Sequence, residues 1–389
     1  MSNYKKYLDS LIEKIKLETK IKNEIPELLK CLPRHMFLPY FYKQIKNKWH
    51  RKAVHENKLT DDDWRDIYSD ISLPLLINNN NIISTISQPS LVVDMLNISR
   101  IVKGNKVMEI GTGSGYNCSL ISLLTGPGNT FSIEIQNDIF EIAKNNIYKN
   151  NISAKLFLSD GIFGLQENSP FDVIVVTTSS SDISKYWISQ LEIGGILLLP
   201  YLYKGIEILV SLKREENGYL KGSFHYFVSF TKLDSLIQDK STIPINADKF
   251  SILKDFIDSK SERDNKLEFK LSNHSKFEIL NFLFFIALNE SLACKVYIDN
   301  NISYFGILSI DLMNQGFALI KYDKNPDVIY WGNDIYIKIL NNLYDKWLDY
   351  GYPGISDYSA EVTPKDIAIK DFNYFIGGKT SNVFIKRKK

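Results

Sequence analysis

The chain has 389 residues, too many for one ordinary core, and its 44% hydrophobic and 24% charged residues are those of a folded globular protein, which excludes wholesale disorder. Lys and Arg number 47 against 45 Asp and Glu, a formal charge of +2, so there is no global field for gripping a polyanion and no nucleic-acid partner is expected. No stretch approaches the ~18 consecutive apolar residues of a membrane span, and Cys31, Cys118 and Cys294 form neither a disulfide framework nor a zinc pair, so a cytoplasmic location without membrane contact is expected.

Taken in chain order, Leu8, Leu11, Ile12 and Ile15 fall at helical spacing and predict an amphipathic first helix. The charged stretch from Lys43 to Asp70, with Trp49 and Trp64, lacks clear periodicity and reads as an elaborated surface segment or lid, and the run Asn78 to Asn81 as a loop. From about residue 92 to 201, strand-like and helix-like pieces alternate. That is the signature of an α/β, doubly wound, mostly parallel sheet. Strands are expected at 106–110, 131–135, 155–158, 172–177 and 196–199, and an antiparallel hairpin at 206–212 and 219–228, turned by AsnGly, is expected to close the sheet at one edge.

Beyond residue 232 the alternation stops. A helix at 276–288, strands near Lys295, Ser303 and Phe317, a helix at about 334–350 and a hairpin at Gly377–Gly378 predict a carboxy-terminal α+β domain, ending in a solvated basic tail, Lys386 to Lys389. The expected organisation is an amino-terminal helical segment and insert (1–84), a core (85–233) and the α+β domain (234–389).

Chemistry is concentrated at GluIleGlyThrGlySerGlyTyr (109 to 116), which follows a strand and opens a helix, as a ligand-cradling glycine loop must. Gly111, Gly113 and Gly115 let backbone approach a ligand, but a dinucleotide fingerprint needs glycine where Tyr116 stands. The G-x-G-x-G spacing favours S-adenosyl-L-methionine over NAD as cofactor, with Glu109 counted among the binding candidates. Glu134 ends the next strand about 20 residues on, where an acid accepts from ribose hydroxyls. Asp160, in SerAspGly (159 to 161) with Gly161, is placed to accept from an adenine amino group. The five histidines are scattered, and no metal site is expected.

Several further pieces carry a resemblance: LeuProArgHisMetPheLeuPro (32 to 39), ThrIleSerGlnPro (85 to 89), the glycine loop, SerAspGly, TrpIleSerGlnLeu (187 to 191) and GlyGlyIleLeuLeuLeuPro (194 to 200). In that order they make residues 30 to 233 resemble the protein-L-isoaspartate O-methyltransferase family, with its Rossmann-like methyltransferase fold. The resemblance implies that Thr85 and Ser87 lie beside the methyl donor and the acceptor carboxylate, as catalytic residues. A carboxylate of pKa near ~4 is already ionised at neutral pH and needs no general base, so the expected work of Ser87, helped by Thr85, is to aim one oxygen.

Repair enzymes of this family are compact, whereas this chain adds long segments on both sides of the core. Its layout, with LysTrpLeuAspTyrGlyTyrProGly (346 to 354) and ValThrPro (362 to 364), is similar to lanthipeptide-associated and FxLD-type peptide methyltransferases. That similarity implies an aspartate of a modified precursor peptide as substrate, the ester leading to succinimide and isoaspartate, with the carboxy-terminal domain recognising the peptide. The alternatives are isoaspartyl repair and a non-catalytic S-adenosylmethionine- or peptide-binding module. Oligomeric state is not legible.

Overall fold

The computed structural model describes residues 4–19, 24–46, 48–235, 245–246, 251–298, 302–309, 315–322, 326–367 and 369–388. It divides into two compact units, one of residues 1–200, 211–221 and 229–238, the other of residues 201–210, 222–228 and 239–389.

The first unit opens with α1 (Lys5–Glu18), which buries Leu8, Leu11, Ile12 and Ile15, and α2 (Glu24–Cys31). The charged stretch after it is more regular than its sequence suggests. It folds as a hairpin, β1 (Tyr40–Ile45) and β2 (Lys48–Ala53), then α3 (Asp61–Ile67), whose Thr60–Asp63 capping box satisfies its first amides and whose Trp64 is buried. The asparagine run is also ordered: Asn79 and Asn80 take left-handed φ values of 47° and 62° and turn β3 (Leu73–Asn78) into β4 (Asn81–Ile86). Then comes α4 (Pro89–Ser99).

Next, β5 (Val107–Ile110), α5 (Tyr116–Thr125), β6 (Thr130–Glu134), α6 (Asn137–Lys149), β7 (Ala154–Leu158), β8 (Phe171–Val176), α7 (Lys185–Gln190) and β9 (Leu191–Tyr203) form the expected alternation. All four residues of β5 and all five of β6 are buried, as in a sheet covered on both faces. The strands are parallel in the order β9–β8–β5–β6–β7. The chain leaves β5 towards β6 and β7 and returns on the other side with β8, so a switch point lies between β5 and β8, where such sheets hold ligands at the carboxyl ends of their strands.

The hairpin of β10 (Ile206–Arg214) and β11 (Leu220–Phe227) turns at Asn217–Gly218, with Gly218 at φ 81°. It does not close an edge, because in the second unit β11 is followed by β18 (Tyr358–Pro364), β20 (Ser381–Arg387) and β19 (Tyr374–Gly377). A capping box on Ser275 and Glu278 starts the buried helix α10 (Lys276–Asn289), preceded by β12 (Ile245–Asn246), α8 (Ser251–Asp255), β13 (Glu262–Arg263) and α9 (Asn265–Ser272). The other strands there, β14 (Ala293–Ile298), β15 (Ile302–Ser309), β16 (Gly316–Lys321) and β17 (Asp327–Gly332), join a six-stranded sheet in the order β12–β14–β15–β16–β17–β13.

In α11 (Ile335–Asp349), Trp347 is buried and donates to the Pro353 carbonyl at 3.1 Å, while Ile355 N–H donates to Asn281 Oδ1 at 3.1 Å. The conspicuous TrpLeuAspTyrGlyTyrProGly stretch thus has a packing role. The basic tail is partly a correction: Lys386 and Arg387 belong to β20, and Lys388 donates to the Ser356 carbonyl at 2.8 Å, while Lys389 lies outside the described residues. Among the described residues no helix is long and apolar enough to cross a membrane.

Candidate active site

At the carboxyl end of β5 the glycine loop turns into α5. Gly111 and Gly113 have φ of 97° and 55°, which L side chains rarely adopt. A Cβ on Gly111 would stand 2.6 Å from Thr177 Oγ1, and one on Gly113 3.3 Å from the Thr85 carbonyl oxygen. Both glycines, with Thr85, Ser87, Glu134 and Gly161, line one cavity of about 1060 Å³ in the first unit. Three other candidates lie off its wall. Gly115 caps α5 at φ 81° and packs on Ala143 and Ile147 of α6. Asp160 accepts from the Ile162 N–H at 2.9 Å and the Ser235 hydroxyl at 3.0 Å. Glu109 is fully buried beneath the loop.

Glu134 is 8% exposed and accepts from the Gly113 N–H through Oε2 and from the Ile135 and Gln136 N–H through Oε1, each at 3.0 Å. Burial raises its carboxyl pKa, and these three amides pull it back. With ~4 lone-pair positions on a carboxylate, one on Oε2 stays open for a ligand hydroxyl.

Thr85 and Ser87 face the loop from the end of β4, and among the described residues neither hydroxyl has a hydrogen-bond partner. Their backbone is held by a residue that sequence reasoning passed over. Arg34, 1% exposed, donates to the carbonyls of Ile67 (2.9 Å), Ser69 (3.4 Å), Ile71 (2.8 Å), Ile86 (3.1 Å) and Ser87 (2.9 Å). Burial lowers its pKa to about 10, which leaves it cationic at neutral pH. On the other side of Ser87, Asp70 accepts from the Ser90 N–H at 2.9 Å and from Gln88 Nε2 at 3.1 Å. The cavity wall carries Glu134, Asp138, Asp234 and Lys232 as its charged groups, so its field favours a cationic ligand. Among the described residues no His, Cys, Asp and Glu side chains are grouped to hold a metal ion.

The sequence model of the protein-L-isoaspartate(D-aspartate) O-methyltransferase family matches residues 6–237, more than half of the chain. The chain belongs to this family. S-adenosylmethionine is its cofactor, and it is a carboxyl methyltransferase by family. It is 33% identical over 229 residues to the protein-L-isoaspartate O-methyltransferase of Pyrococcus horikoshii, covering 57% of this chain and 90% of that one. The like-named protein of Flavobacterium psychrophilum is 30% identical, covering 56% and 87%. A solved structure of a protein-L-isoaspartate O-methyltransferase overlays with a TM-score of 0.53 at 21% identity, covering 97% of this chain and 98% of its own. At that identity the likeness is one of fold, and it extends over the carboxy-terminal residues as well.

The family pieces outside the loop pin the backbone around the site. In TrpIleSerGlnLeu, Trp187 Nε1 donates to the Gly161 carbonyl at 2.8 Å, and Gln190 donates to the Phe163 carbonyl and accepts from the Leu165 N–H, both at 2.8 Å. In LeuProArgHisMetPheLeuPro, Phe37 packs on Tyr116 at 5.2 Å between ring centroids.

Glu109 supports the loop from below: Asn117 Nδ2 donates to it at 2.7 Å and Ser132 Oγ at 2.5 Å. Burial pushes its pKa from 4.5 up to about 7. Below pH 4.5 both folded and unfolded chains hold this proton; from there to about 7 the unfolded chain releases it first, so stability falls as pH rises. The whole loss is on the order of 3 kcal/mol. Glu109→Gln can still accept from Asn117 through its oxygen while its Nε2 donates to the Ser132 hydroxyl, which turns to accept, and it has no carboxyl to titrate, so its stability should vary less between pH 5 and pH 8 than that of the wild type. Urea melts at both pH values measure this, and parallel profiles would remove the assignment.

Proposed function

We propose that the protein transfers the methyl group of S-adenosylmethionine to the carboxylate of an isoaspartyl residue in a polypeptide. One observation carries this reading: Thr85 and Ser87, with unpartnered hydroxyls, share a cavity with the glycine loop and Glu134. When bound, S-adenosylmethionine supplies an electrophilic methyl on a sulfonium centre. The chain's own residues hold and aim. The loop backbone at Gly111 and Gly113 leaves room for close approach, and the open lone pair of Glu134 takes a sugar hydroxyl. Asp160 and Gly161 are proposed to border the adenine end, with Gly115 and Glu109 acting behind the loop.

Ser87 and Thr85 donate to the acceptor carboxylate and turn one oxygen towards the methyl group. Neutral hydroxyls suit this task, since a cation bound tightly to the nucleophile would stabilise the ground state and blunt its attack. No arginine or histidine lines the cavity among the described residues, and the acceptor needs no base, being ionised at neutral pH.

A second reading keeps the chemistry and changes the substrate to an aspartate of a ribosomally made, modified precursor peptide such as a lanthipeptide, whose ester closes to succinimide and then isoaspartate. What favours it is that the Pyrococcus horikoshii relative matches 57% of this chain, so a large part has no counterpart there and is free to select a dedicated substrate. Incubation with S-adenosylmethionine and matched isoaspartyl and aspartyl hexapeptides separates the two. A mass gain of one CH2 on the isoaspartyl peptide is expected; a gain on the aspartyl peptide alone, or none on either, overturns the first reading.

A further inference from the structure

Asn217–Gly218, in the turn between β10 and β11, is the one asparagine–glycine pair in the sequence. An asparagine side chain and the next backbone nitrogen can close into a succinimide ring, and a successor without a Cβ hinders that closure least. The turn is open: Asn217 is exposed, and a Cβ on Gly218 would meet nothing within 4 Å. The Tyr219 N–H donates to Asn217 Oδ1 at 3.0 Å, which polarises the side-chain carbonyl and places a donor where nucleophilic addition creates an oxyanion. Nδ2, the leaving nitrogen, has no partner among the described residues. Lys213, Arg214 and Lys221 share a hollow of about 510 Å³ with Asn217, three cations against the two carboxylates Glu215 and Glu216, so its field favours a carboxylate at position 217. What restrains the ring closure is the Gly218 N–H, which donates to the Glu215 carbonyl at 2.9 Å, and hydrogen bonds at an exposed loop tip are among the first to open.

We infer that Asn217 is a modification site: it deamidates to isoaspartate, and a second copy of this chain methylates the carboxylate so formed. The second step rests on the proposed function; the first does not. In the first, the Gly218 nitrogen gives its proton to water and attacks Asn217 Cγ; the new C–N bond forms as the Cγ–Nδ2 bond breaks, and Nδ2 leaves as ammonia. Water then adds at the Asn217 backbone carbonyl carbon and breaks its bond to the Gly218 nitrogen, so the chain now runs through Cγ and a free α-carboxylate remains. Nothing is oxidised or reduced. In the second step one oxygen of that carboxylate takes the sulfonium methyl, giving the ester and S-adenosylhomocysteine. Position requires the second copy. Arg214 donates to the Ser189 carbonyl at 3.2 Å, and a Cβ on Gly194 would stand 3.9 Å from Lys213 Cε, so the hairpin tip lies beside the amino end of β9. β9 runs parallel to β8 and β8 to β5, and the cavity lies at the carboxyl end of β5, so a molecule's own tip and cavity lie at opposite ends of its sheet.

The test holds the full chain at pH 8 and maps its digest by mass beside Asn217→Gln, whose longer side chain would have to close a larger ring. The wild-type peptide carrying residue 217 should exchange NH2 for OH faster than any other asparagine peptide, and electron-transfer fragmentation should show isoaspartate there. With S-adenosylmethionine the aged chain should then gain one CH2 on that peptide, at a rate second order in chain, and the variant should show neither change. An Asn217 that stays an amide, or converts no faster than the other asparagines, overturns the modification site. Conversion without methylation, while the isoaspartyl hexapeptide gains its methyl group, overturns the second step, and a first-order rate overturns transfer between copies. If the hexapeptide itself gains none, the proposed function fails with the second step, and the exchange of NH2 for OH alone decides the first.

Discussion

Gly111→Ala is expected to weaken binding of S-adenosylhomocysteine about 10- to 100-fold. The methyl group would meet Thr177 Oγ1 at 2.6 Å and Thr178 Cγ2 at 2.9 Å, at a φ of 97°. Thr177 cannot swing away cheaply, because its hydroxyl donates to the Gly111 carbonyl at 2.6 Å and the Ile110 carbonyl at 3.0 Å. Backbone strain of about 1–3 kcal/mol is therefore relieved only by shifting the loop, and the loop is the proposed cofactor wall. Gly104→Ala is the matched control. It has a similar φ of 91° with nothing within 4 Å, and Gly104 is not on the cavity wall, so it should lose stability and keep affinity. Calorimetric titration of both variants measures this, and equal affinities would detach the loop from cofactor binding.

Those two glycines also show what a sequence can and cannot reveal. The strand–loop–helix context identifies Gly111, Gly113 and Glu134, because local spacing puts them on adjacent strand ends. Glu109 and Asp160 look equally suitable on paper and stand off the cavity wall for reasons that spacing does not carry. Glu109 sits inside β5, opposite Ser132 of β6, so its side chain is committed beneath the loop, and Asp160 is used in capping its own turn. Arg34 was invisible for the opposite reason: its partners lie 33 to 53 residues away, and only the folded hairpin brings five carbonyls to one guanidinium. Long-range pairing likewise hid the fate of β11, whose neighbour β18 comes more than 130 residues later in the chain. The Asn79–Asn80 turn was within reach, since two left-handed asparagines between apolar runs are a hairpin signal of the same kind as AsnGly.

Ser87→Ala is expected to lower kcat about 100-fold while the affinity for S-adenosylhomocysteine stays within about 2-fold of the wild type. The size follows from what the hydroxyl does: misplacing a nucleophile by ~1 Å, or removing one preorganised donor, typically costs about 100-fold. The split follows from where it sits. Glu134 and the glycine loop are proposed to hold the cofactor side of the cavity, and Glu134 is bonded to the Gly113 amide, whereas the backbone of Ser87 is fixed separately by Arg34 and its neighbours by Asp70. The fold around it should survive, because the Ser87 carbonyl, not its side chain, makes the structural bond to Arg34 at 2.9 Å. A loss of turnover through weaker cofactor binding would place Ser87 on the wrong partner, and undiminished turnover would remove it from the reaction. Raising pH from 6 to 8 should not rescue the variant, since Ser87 is assigned to aiming an ionised carboxylate and not to moving a proton. A rate that recovered with pH would mean that deprotonation, not alignment, is what the site supplies.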